Sequence, residues 1–279
     1  MELEDHLGDI IRKGRMQAGV SLPAAARAAG LTAAEQAALE NDGIPPRRPD
    51  YPALATLLGL HAGKLEDIAN GWRPAPVDLR RWRELRQITT FGQAYAANCY
   101  MLWDQMTKEA ALFDAGFDPA PVCALVAENR LRLTHLFITH NHSDHAGGLP
   151  AIAERFPTAR LHARAELSWG EPGNQPGDSI TVGHLCITRR ATPGHTEDGT
   201  TFVVTDWPAA SAPEPGPAPV AIVGDALFAG SMGNVHGDAA RARRIIREQI
   251  LSLPLATLLC PGHGPLTTVA EELAHNPFF

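Results

Sequence analysis

The first 72 residues carry apolar side chains at spacings of three and four, which is the period of amphipathic helices. The positions that set this period are Leu7, Ile10, Ile11, Leu22, Ala25, Ala26 and Ala29. Pro23 suits the first turn of a helix, and Thr32 with Glu35 forms a capping-box pattern that begins another. Helical patterns continue over 51–59 and 62–69. We therefore predict four or five short helices in a small all-α domain over 1–72.

From about Ile88 the pattern changes to short apolar stretches bounded by turn residues, which is typical of strands. The candidate strands cover 98–103, 110–114, 136–139, 160–163, 185–189, 201–205, 220–223 and 257–260. Helical patterns lie between some of them, near 149–156 and 239–251. Strands mixed with helices over this length indicate a layered α/β domain, which we assign to 88–279. A Pro-rich boundary at 71–76 and a basic run at 80–86 predict a linker over 73–87.

Composition narrows the classes of protein that fit this pattern. The formal net charge of -7 argues against a generally basic nucleic-acid binder. No apolar run approaches the roughly 20 residues of a membrane helix, and the acidic start Met-Glu-Leu-Glu-Asp lacks the features of a signal peptide. Four cysteines without a Cys-x-x-Cys motif are typical of buried thiols in a reducing compartment. We therefore expect a cytoplasmic protein with no membrane partner.

A dense group of metal-ligand residues follows the predicted strand at 136–139. Its members are His140, His142, Asp144 and His145. Imidazole and carboxylate groups are natural ligands of zinc, iron and manganese ions. A single ion would hold only some of them. Alternating residues in a tight loop can direct His140 and His142 to one ion and Asp144 and His145 to a second.

Three further candidate ligands follow later predicted strands. His195 lies in a Pro-Gly-His turn, Asp225 ends the strand at 220–223 after Gly224, and His263 lies in a Pro-Gly-His-Gly turn. Glycine beside a ligand lets the backbone come close to an ion. Open α/β sheets usually carry their sites at the carboxyl ends of strands. We therefore expect these residues to meet the cluster at 140–145.

This arrangement resembles the metallo-β-lactamase superfamily, and most of all its glyoxalase II group. The segments 224–231 around Asp225 and 261–268 around His263, with 276–278, resemble short members of that group. The resemblance implies an αββα sandwich and two divalent ions, zinc first, with iron or manganese as alternatives. It assigns His140, His142 and His195 to one ion, Asp144, His145 and His263 to the other, and Asp225 to both. Asp225 also argues against a true β-lactamase, which lacks the bridging carboxylate.

Such a pair of ions would bind a bridging hydroxide that attacks a carbonyl carbon. Asp144 is the predicted catalytic residue, because it can orient the hydroxide and relay a proton. The leading hypothesis is a hydrolase of small-molecule thioesters. Glyoxalase II proteins, however, carry a basic C-terminal helical domain, which we expect this chain to lack, and usually an Arg where this chain has Asn234. The alternatives are a lactonase and a persulfide dioxygenase, a class that resembles this fold and uses one iron held by two His and one Asp.

The N-terminal helical pattern resembles the Cro/C1-type helix-turn-helix family, in which the helix beginning near Thr32 enters the major groove. That helix offers one plausible base-reading side chain, Gln36, and no Arg or Lys. Residues 1–73 hold eight Lys or Arg against ten Asp or Glu, whereas phosphate binding favours positive charge. DNA is therefore an alternative partner that the charge does not favour. We expect a dimerising or partner-docking domain, for example a homodimer through these helices. A DNA-bound regulator whose hydrolase domain senses a metabolite is the second hypothesis.

Overall fold

The computed structural model describes residues 2–93, 95–163, 177–206 and 218–279. In this part of the chain the N-terminal region is entirely helical, as predicted. Its helices are α1 (Leu7–Gln17), α2 (Leu22–Ala29), α3 (Ala33–Asp42), α4 (Tyr51–Leu58) and α5 (Ala62–Ala69). Thr32 and Glu35 form the predicted capping box at the start of α3. A second capping box, between His6 and Asp9, begins α1 and was not predicted.

Two sheets follow the helices. The first contains β1 (Leu85–Phe91), β2 (Ala96–Trp103), β3 (Glu109–Phe113), β4 (Arg132–Phe137) and β5 (Arg160–His162), paired in that order. The second contains β6 (Ser179–Val182), β7 (Leu185–Ala191), β8 (Thr200–Thr205), β9 (Val220–Gly224), β10 (Leu258–Pro261) and β11 (Thr267–Thr268). In this sheet, too, each strand pairs with the strands that precede and follow it in the sequence. Each predicted strand overlaps an observed one. The prediction missed β1, β6 and β11.

The remaining described helices are α6 (Ala120–Glu128), α7 (Ser143–Ala146), α8 (Leu149–Arg155), α9 (Ala239–Gln249) and α10 (Val269–His275). All of them except the short α7 cover the outer faces of the two sheets. Apolar residues from both sheets, such as Phe113, Phe137 and Phe202, form the core between them. The other face of the first sheet packs on α6 and α8. The other face of the second sheet packs on α9 and α10. This is the predicted αββα sandwich.

The N-terminal helices pack on the second sheet's side of the sandwich rather than standing apart. Their buried residues belong to the same apolar core as Val203 and Val223 of that sheet. Polar contacts fix the same interface, since the backbone N–H of His61 donates to the Pro277 carbonyl over 2.8 Å. The Trp72 ring stacks on the His275 ring at 4.8 Å. The helical region therefore shares its core with the α/β region.

The segment between the two regions is shorter than the predicted linker suggests. Leu85 is fully buried and begins β1, so the start of this strand falls within the predicted linker over 73–87. Before it, a 3₁₀ turn spans Leu79–Arg81, and Arg80 pairs with Asp78 at the exposed surface.

Among the described residues, no helix combines the length and the apolar character that crossing a bilayer requires.

Candidate metal centre

The seven predicted ligands come together at one edge of the sandwich, between the two sheets. His140 and His142 follow β4, and Asp144 and His145 lie on α7. His195 lies between β7 and β8, while Asp225 and His263 follow β9 and β10, which are parallel neighbours. The parallel pairing brings the carboxyl ends of β9 and β10 side by side. The elements of the fold therefore deliver all of these side chains to one place.

Their ligand atoms form three overlapping groups, each within 4.8 Å: His140 with His142 and His195, Asp144 with His145 and His263, and His140 with His145 and Asp225. In the first group, His142 Nδ1 lies 3.1 Å from His140 Nε2 and 3.0 Å from His195 Nε2. In the second group, His263 Nε2 lies 3.2 Å from Asp144 Oδ2. The arrangement is two adjacent ligand sets.

Asp225 lies between these two sets. Its Oδ2 is 3.5 Å from His195 Nε2 in the first set and 3.4 Å from His263 Nε2 in the second. Its Oδ1 is 3.3 Å from His145 Nε2. The carboxylate therefore reaches both sets, as a bridging ligand must.

The second ring nitrogen of several histidines is held by a separate partner. His145 Nδ1 lies 2.9 Å from Asp114 Oδ2, and His263 Nδ1 lies 2.7 Å from the Ala96 carbonyl. His195 Nδ1 lies 2.9 Å from the Asn234 carbonyl. Such partners fix the orientation and tautomer of a metal-ligating imidazole and leave the other nitrogen free to bind the ion. Here the remaining Nε2 atoms all face the cluster.

The chemistry of this donor set fits divalent cations. Imidazole nitrogens that approach each other at about 3 Å need a proton or a cation between them, because their lone pairs otherwise repel. Asp225 Oδ1 is buried and, among the described residues, has no hydrogen-bond donor. A buried carboxylate oxygen without a donor is costly unless an ion occupies the space it faces. The cluster therefore fits zinc, iron or manganese ions.

Burial and charge shift the titration of these side chains in opposite directions. Burial lowers the pKa of His140 to about 3, with the nearby His145 adding to the effect, so its imidazole is neutral. Burial alone would also lower the pKa of His145, but Asp114 and Asp225 outweigh it and raise that pKa to about 10. Despite burial, the nearby His145 and His263 imidazoles hold the pKa of Asp225 well below its ordinary value. Metal loading would therefore displace protons from the second set.

Close backbone approach explains the glycine before His263. A Cβ on Gly262 would lie 2.2 Å from Asp225 Oδ1 and 2.6 Å from His145 Cε1. No side chain fits at that distance. The predicted reason for glycine beside the ligands applies at this position.

A cavity of about 480 Å³ opens over the cluster, and His142, Asp144, His195, Asp225 and His263 line its floor. The first helix and the segment before it supply further lining residues, which are Glu4, Asp5, Asp9, Arg12 and Lys13. We did not predict this contribution, because no motif in 1–17 indicates that it reaches the site. Tyr95 and Phe228 complete the wall near His263.

Gln36, the one plausible base-reading side chain of α3, lies in the interior of the helical region. Its side chain is 0% exposed, and its Nε2 donates to Glu40 Oε1 over 2.9 Å. Glu40 in turn pairs with Arg15 of α1. Gln36 therefore belongs to a buried polar network between helices and is not available to read DNA bases.

Comparison with known proteins matches each of the two regions to a protein family. A metallo-beta-lactamase superfamily model matches residues 92–268, and a helix-turn-helix domain model matches residues 6–68. The human mitochondrial persulfide dioxygenase ETHE1 is 32% identical over 187 residues, which is 64% of this chain and 69% of that protein. The hydroxyacylglutathione hydrolase GloC of Haemophilus influenzae is 27% identical over 223 residues, which is 70% of this chain and 96% of that protein.

Among solved structures, the BLEG-1 B3 metallo-beta-lactamase superposes with a TM-score of 0.58 and 26% identity, covering 70% of this chain and 98% of that one. The span of the family model, residues 92–268, contains all seven candidate ligands. These similar proteins carry names of different activities, so the similarity settles the fold and the presence of a metal-binding domain but not the reaction.

Proposed function

Because the chain belongs to the metallo-β-lactamase superfamily, we propose that it is a dinuclear metal-dependent hydrolase that cleaves small-molecule thioesters. One observation carries the proposal. The set of Asp144, His145 and His263 is as complete as the set of His140, His142 and His195, and Asp225 lies within reach of both. The hydroxyacylglutathione hydrolase among the relatives supports hydrolytic chemistry.

The chain's own residues have separate tasks in this proposal. His140, His142 and His195 would hold one ion, Asp144, His145 and His263 the other, and Asp225 both. Two divalent ions, zinc first with iron or manganese as alternatives, would supply an activated water and a Lewis acid for the carbonyl oxygen. Asp144 would accept a hydrogen bond from the attacking water and take its proton. Asp114 would keep the His145 ring in place, since its Oδ2 lies 2.9 Å from His145 Nδ1.

The test is to measure the metal content and the reaction of the purified full chain together. We expect two ions per chain by mass spectrometry of the metals and hydrolysis of acyl thioesters without oxygen consumption. His263→Ala should lose one ion and most of the activity. His61→Ala is the matched control, because that histidine caps α5 away from the cluster. Two bound ions with hydrolysis of lactones alone would overturn the thioester assignment.

A persulfide dioxygenase is the second candidate, and a specific observation favours it. The human protein of that name is 32% identical over 69% of its length. One iron held by two histidines and Asp225 fits within the same cluster, because His140, His145 and Asp225 form one of its three groups. One iron per chain with oxygen consumption on a persulfide substrate would support this reaction and overturn the hydrolase proposal.

A further inference from the structure

The first helix of the helix-turn-helix domain borders the cavity over the metal cluster. Arg12 and Lys13 lie on α1, and Glu4 and Asp5 lie in the segment before it. The approach is close, since a Cβ on Gly264, next to His263, would lie 3.0 Å from the Glu4 backbone nitrogen. One wall of the candidate substrate site is therefore built by a region outside the sandwich.

Buried polar contacts hold this wall in position. Lys13 is 8% exposed, and its ammonium donates to Asp5 Oδ2 over 2.5 Å and to the Met232 carbonyl over 2.8 Å. Asp5 Oδ2 also accepts from the Ser231 hydroxyl. The Lys13 ammonium lies 5.2 Å from the centre of the Phe228 ring, which itself lines the cavity. The wall is thus tied to the loop that follows Asp225.

Arg12 is the cation on this wall that keeps hydrogen-bond donors available. Lys13 already serves Asp5 and Met232. The Arg12 side chain is 47% exposed, and its Nη2 donates to Asp9 Oδ1 over 2.6 Å. Within the described ranges, its Nε and Nη1 groups have no acceptor. A guanidinium has five donors in a planar fork, so Asp9 can hold one edge while another edge faces a ligand.

The other charged residues of the wall leave Arg12 as the group that can bind an anion. Asp5 and Asp9 each have a cationic partner in Lys13 and Arg12. Glu4 lies beside Gly264 at the metal cluster and brings a negative charge there. An anionic group on a ligand would therefore avoid Glu4 and find its partner at Arg12.

We infer that α1 forms part of the substrate site and that Arg12 is a specificity-determining residue, which binds a carboxylate on the part of the substrate that does not react. A guanidinium fork matches a carboxylate in geometry as well as charge. The cavity of about 480 Å³ has room for a substrate that extends from the metal ligands to α1. The inference rests on the proposed function only in placing the reacting bond at the cluster.

The kinetic test uses two matched thioesters, one with a carboxylate on its thiol portion and one with a primary amide in its place. We expect the wild-type protein to favour the carboxylate substrate. Arg12→Ala should lower kcat/KM for it about 10- to 100-fold, mainly through KM, as losing a charge-assisted hydrogen bond does. The amide substrate should change less than about 3-fold. Arg27→Ala, which removes an exposed arginine of α2 outside the cavity, should change neither.

A binding measurement separates this inference from the proposed reaction. Titration calorimetry of the metal-loaded full chain would use an unreactive thioether with the same carboxylate, and its amide as the control ligand. We expect Arg12→Ala to weaken binding of the carboxylate ligand by the same factor, with unchanged metal content. If no thioester is hydrolysed, the proposed function fails, and calorimetry still decides the role of Arg12. Equal binding of the carboxylate ligand to wild type and Arg12→Ala would overturn the inference.

Discussion

The Lys13 ammonium, on the first helix of the chain, donates a 2.8 Å hydrogen bond to the Met232 backbone carbonyl in the loop that follows Asp225. The same ammonium pairs with Asp5 in a buried contact. One side chain therefore links the helix-turn-helix domain to the loop that carries a candidate metal ligand. The packing of the domain and the geometry of the metal centre are physically coupled at this point.

Replacing Lys13 should destabilise the fold strongly. In Lys13→Met the Asp5 carboxylate stays buried without its cation, and removing one partner of a buried pair costs about 3–5 kcal/mol. The double variant Asp5→Asn/Lys13→Met should recover a large part of this loss, because no buried charge remains. Urea unfolding measures both. Arg48→Met is the control, since Arg48 pairs with Glu66 at the exposed surface and such pairs contribute less than about 1 kcal/mol. Equal losses for the Lys13 and Arg48 variants would contradict the coupling.

Gly262 should tolerate no side chain without loss of metal binding. A methyl group there would meet Asp225 Oδ1 at 2.2 Å and would displace the carboxylate that lies between the two ligand sets. We expect Gly262→Ala to bind fewer ions per chain while its circular dichroism stays like that of the wild type. Gly63→Ala is the matched control, because a Cβ there makes only ordinary contact, at 3.6 Å from His61. Full metal content in Gly262→Ala would show that the turn can shift without consequence.

Asp114 should tune metal affinity without touching the ion. Its Oδ2 lies 2.9 Å from His145 Nδ1, and its Oδ1 accepts from the Thr139 backbone N–H over 2.8 Å. Asp114→Asn removes the charge that orients the ring, and such changes weaken metal binding about 10- to 100-fold. Competition with a chromophoric chelator measures the affinity. Asp118→Asn, at the exposed start of α6, should bind metal like the wild type. An unchanged affinity in Asp114→Asn would mean that the ring holds its position without this carboxylate.

Local patterns in the sequence predicted the layered α/β domain and the cluster of candidate ligands, and the resemblance to the metallo-β-lactamase superfamily implied the αββα sandwich. Strand periodicity predicts β2, and the close spacing of His140 to His145 points to metal chemistry wherever the rest of the chain lies. By contrast, Asp114 is a single carboxylate directly after β3. A lone carboxylate at such a position can serve several structural purposes, so the sequence does not point to a role in the metal centre. Its role becomes visible only when β3 and α7 are seen to be neighbours.

The wall formed by α1 could not be predicted for a related reason. Arg12 and the metal ligands are separated by more than a hundred residues, and their proximity depends on how two regions pack. The basic run at 80–86 is typical of a linker, and for this reason the start of β1 at Leu85 was not predicted. Gln36 shows a similar dependence on packing: the sequence marked it as the one plausible base-reading side chain of α3, whereas it lies in the interior and donates to Glu40.

The helix-turn-helix domain should bind DNA weakly or not at all. The outer face of α3 exposes Ala33, Ala34 and Ala37, and α3 itself carries no cation. Nearby Arg47 pairs with Glu35 of the same helix. Because phosphate contacts supply most non-specific affinity, we expect no gel shift with upstream DNA even at about 50 mM salt. Ala34→Arg/Ala37→Arg, which adds cations to this face, should produce a salt-dependent shift and so prove the assay sensitive. A salt-dependent shift with the unaltered chain would refute the prediction.

Glu272 should make the protein less stable as pH rises. Its carboxyl is fully buried, where it accepts hydrogen bonds from the Gly230 N–H, the Thr267 hydroxyl and the Asn276 amide. Burial raises its pKa to about 7 from the ordinary 4.5, although these donors oppose the shift. The folded protein therefore holds a proton that the unfolded chain has already lost. Stability contributed by this proton is present below pH 4.5 and is lost as the pH rises through about 7.

The shift corresponds to roughly 3 kcal/mol between these limits, at 1.36 kcal/mol per pKa unit. Glu272→Gln has no proton to lose, so its free energy of unfolding should fall less than that of the wild type between pH 5 and 8. Chemical denaturation across this range, in one buffer series for both proteins, isolates the contribution, because the other titrating groups are shared. Glu248→Gln, at an exposed position on α9, should give a curve parallel to the wild type. A parallel curve for Glu272→Gln would instead show that the buried carboxyl does not change its protonation across this range.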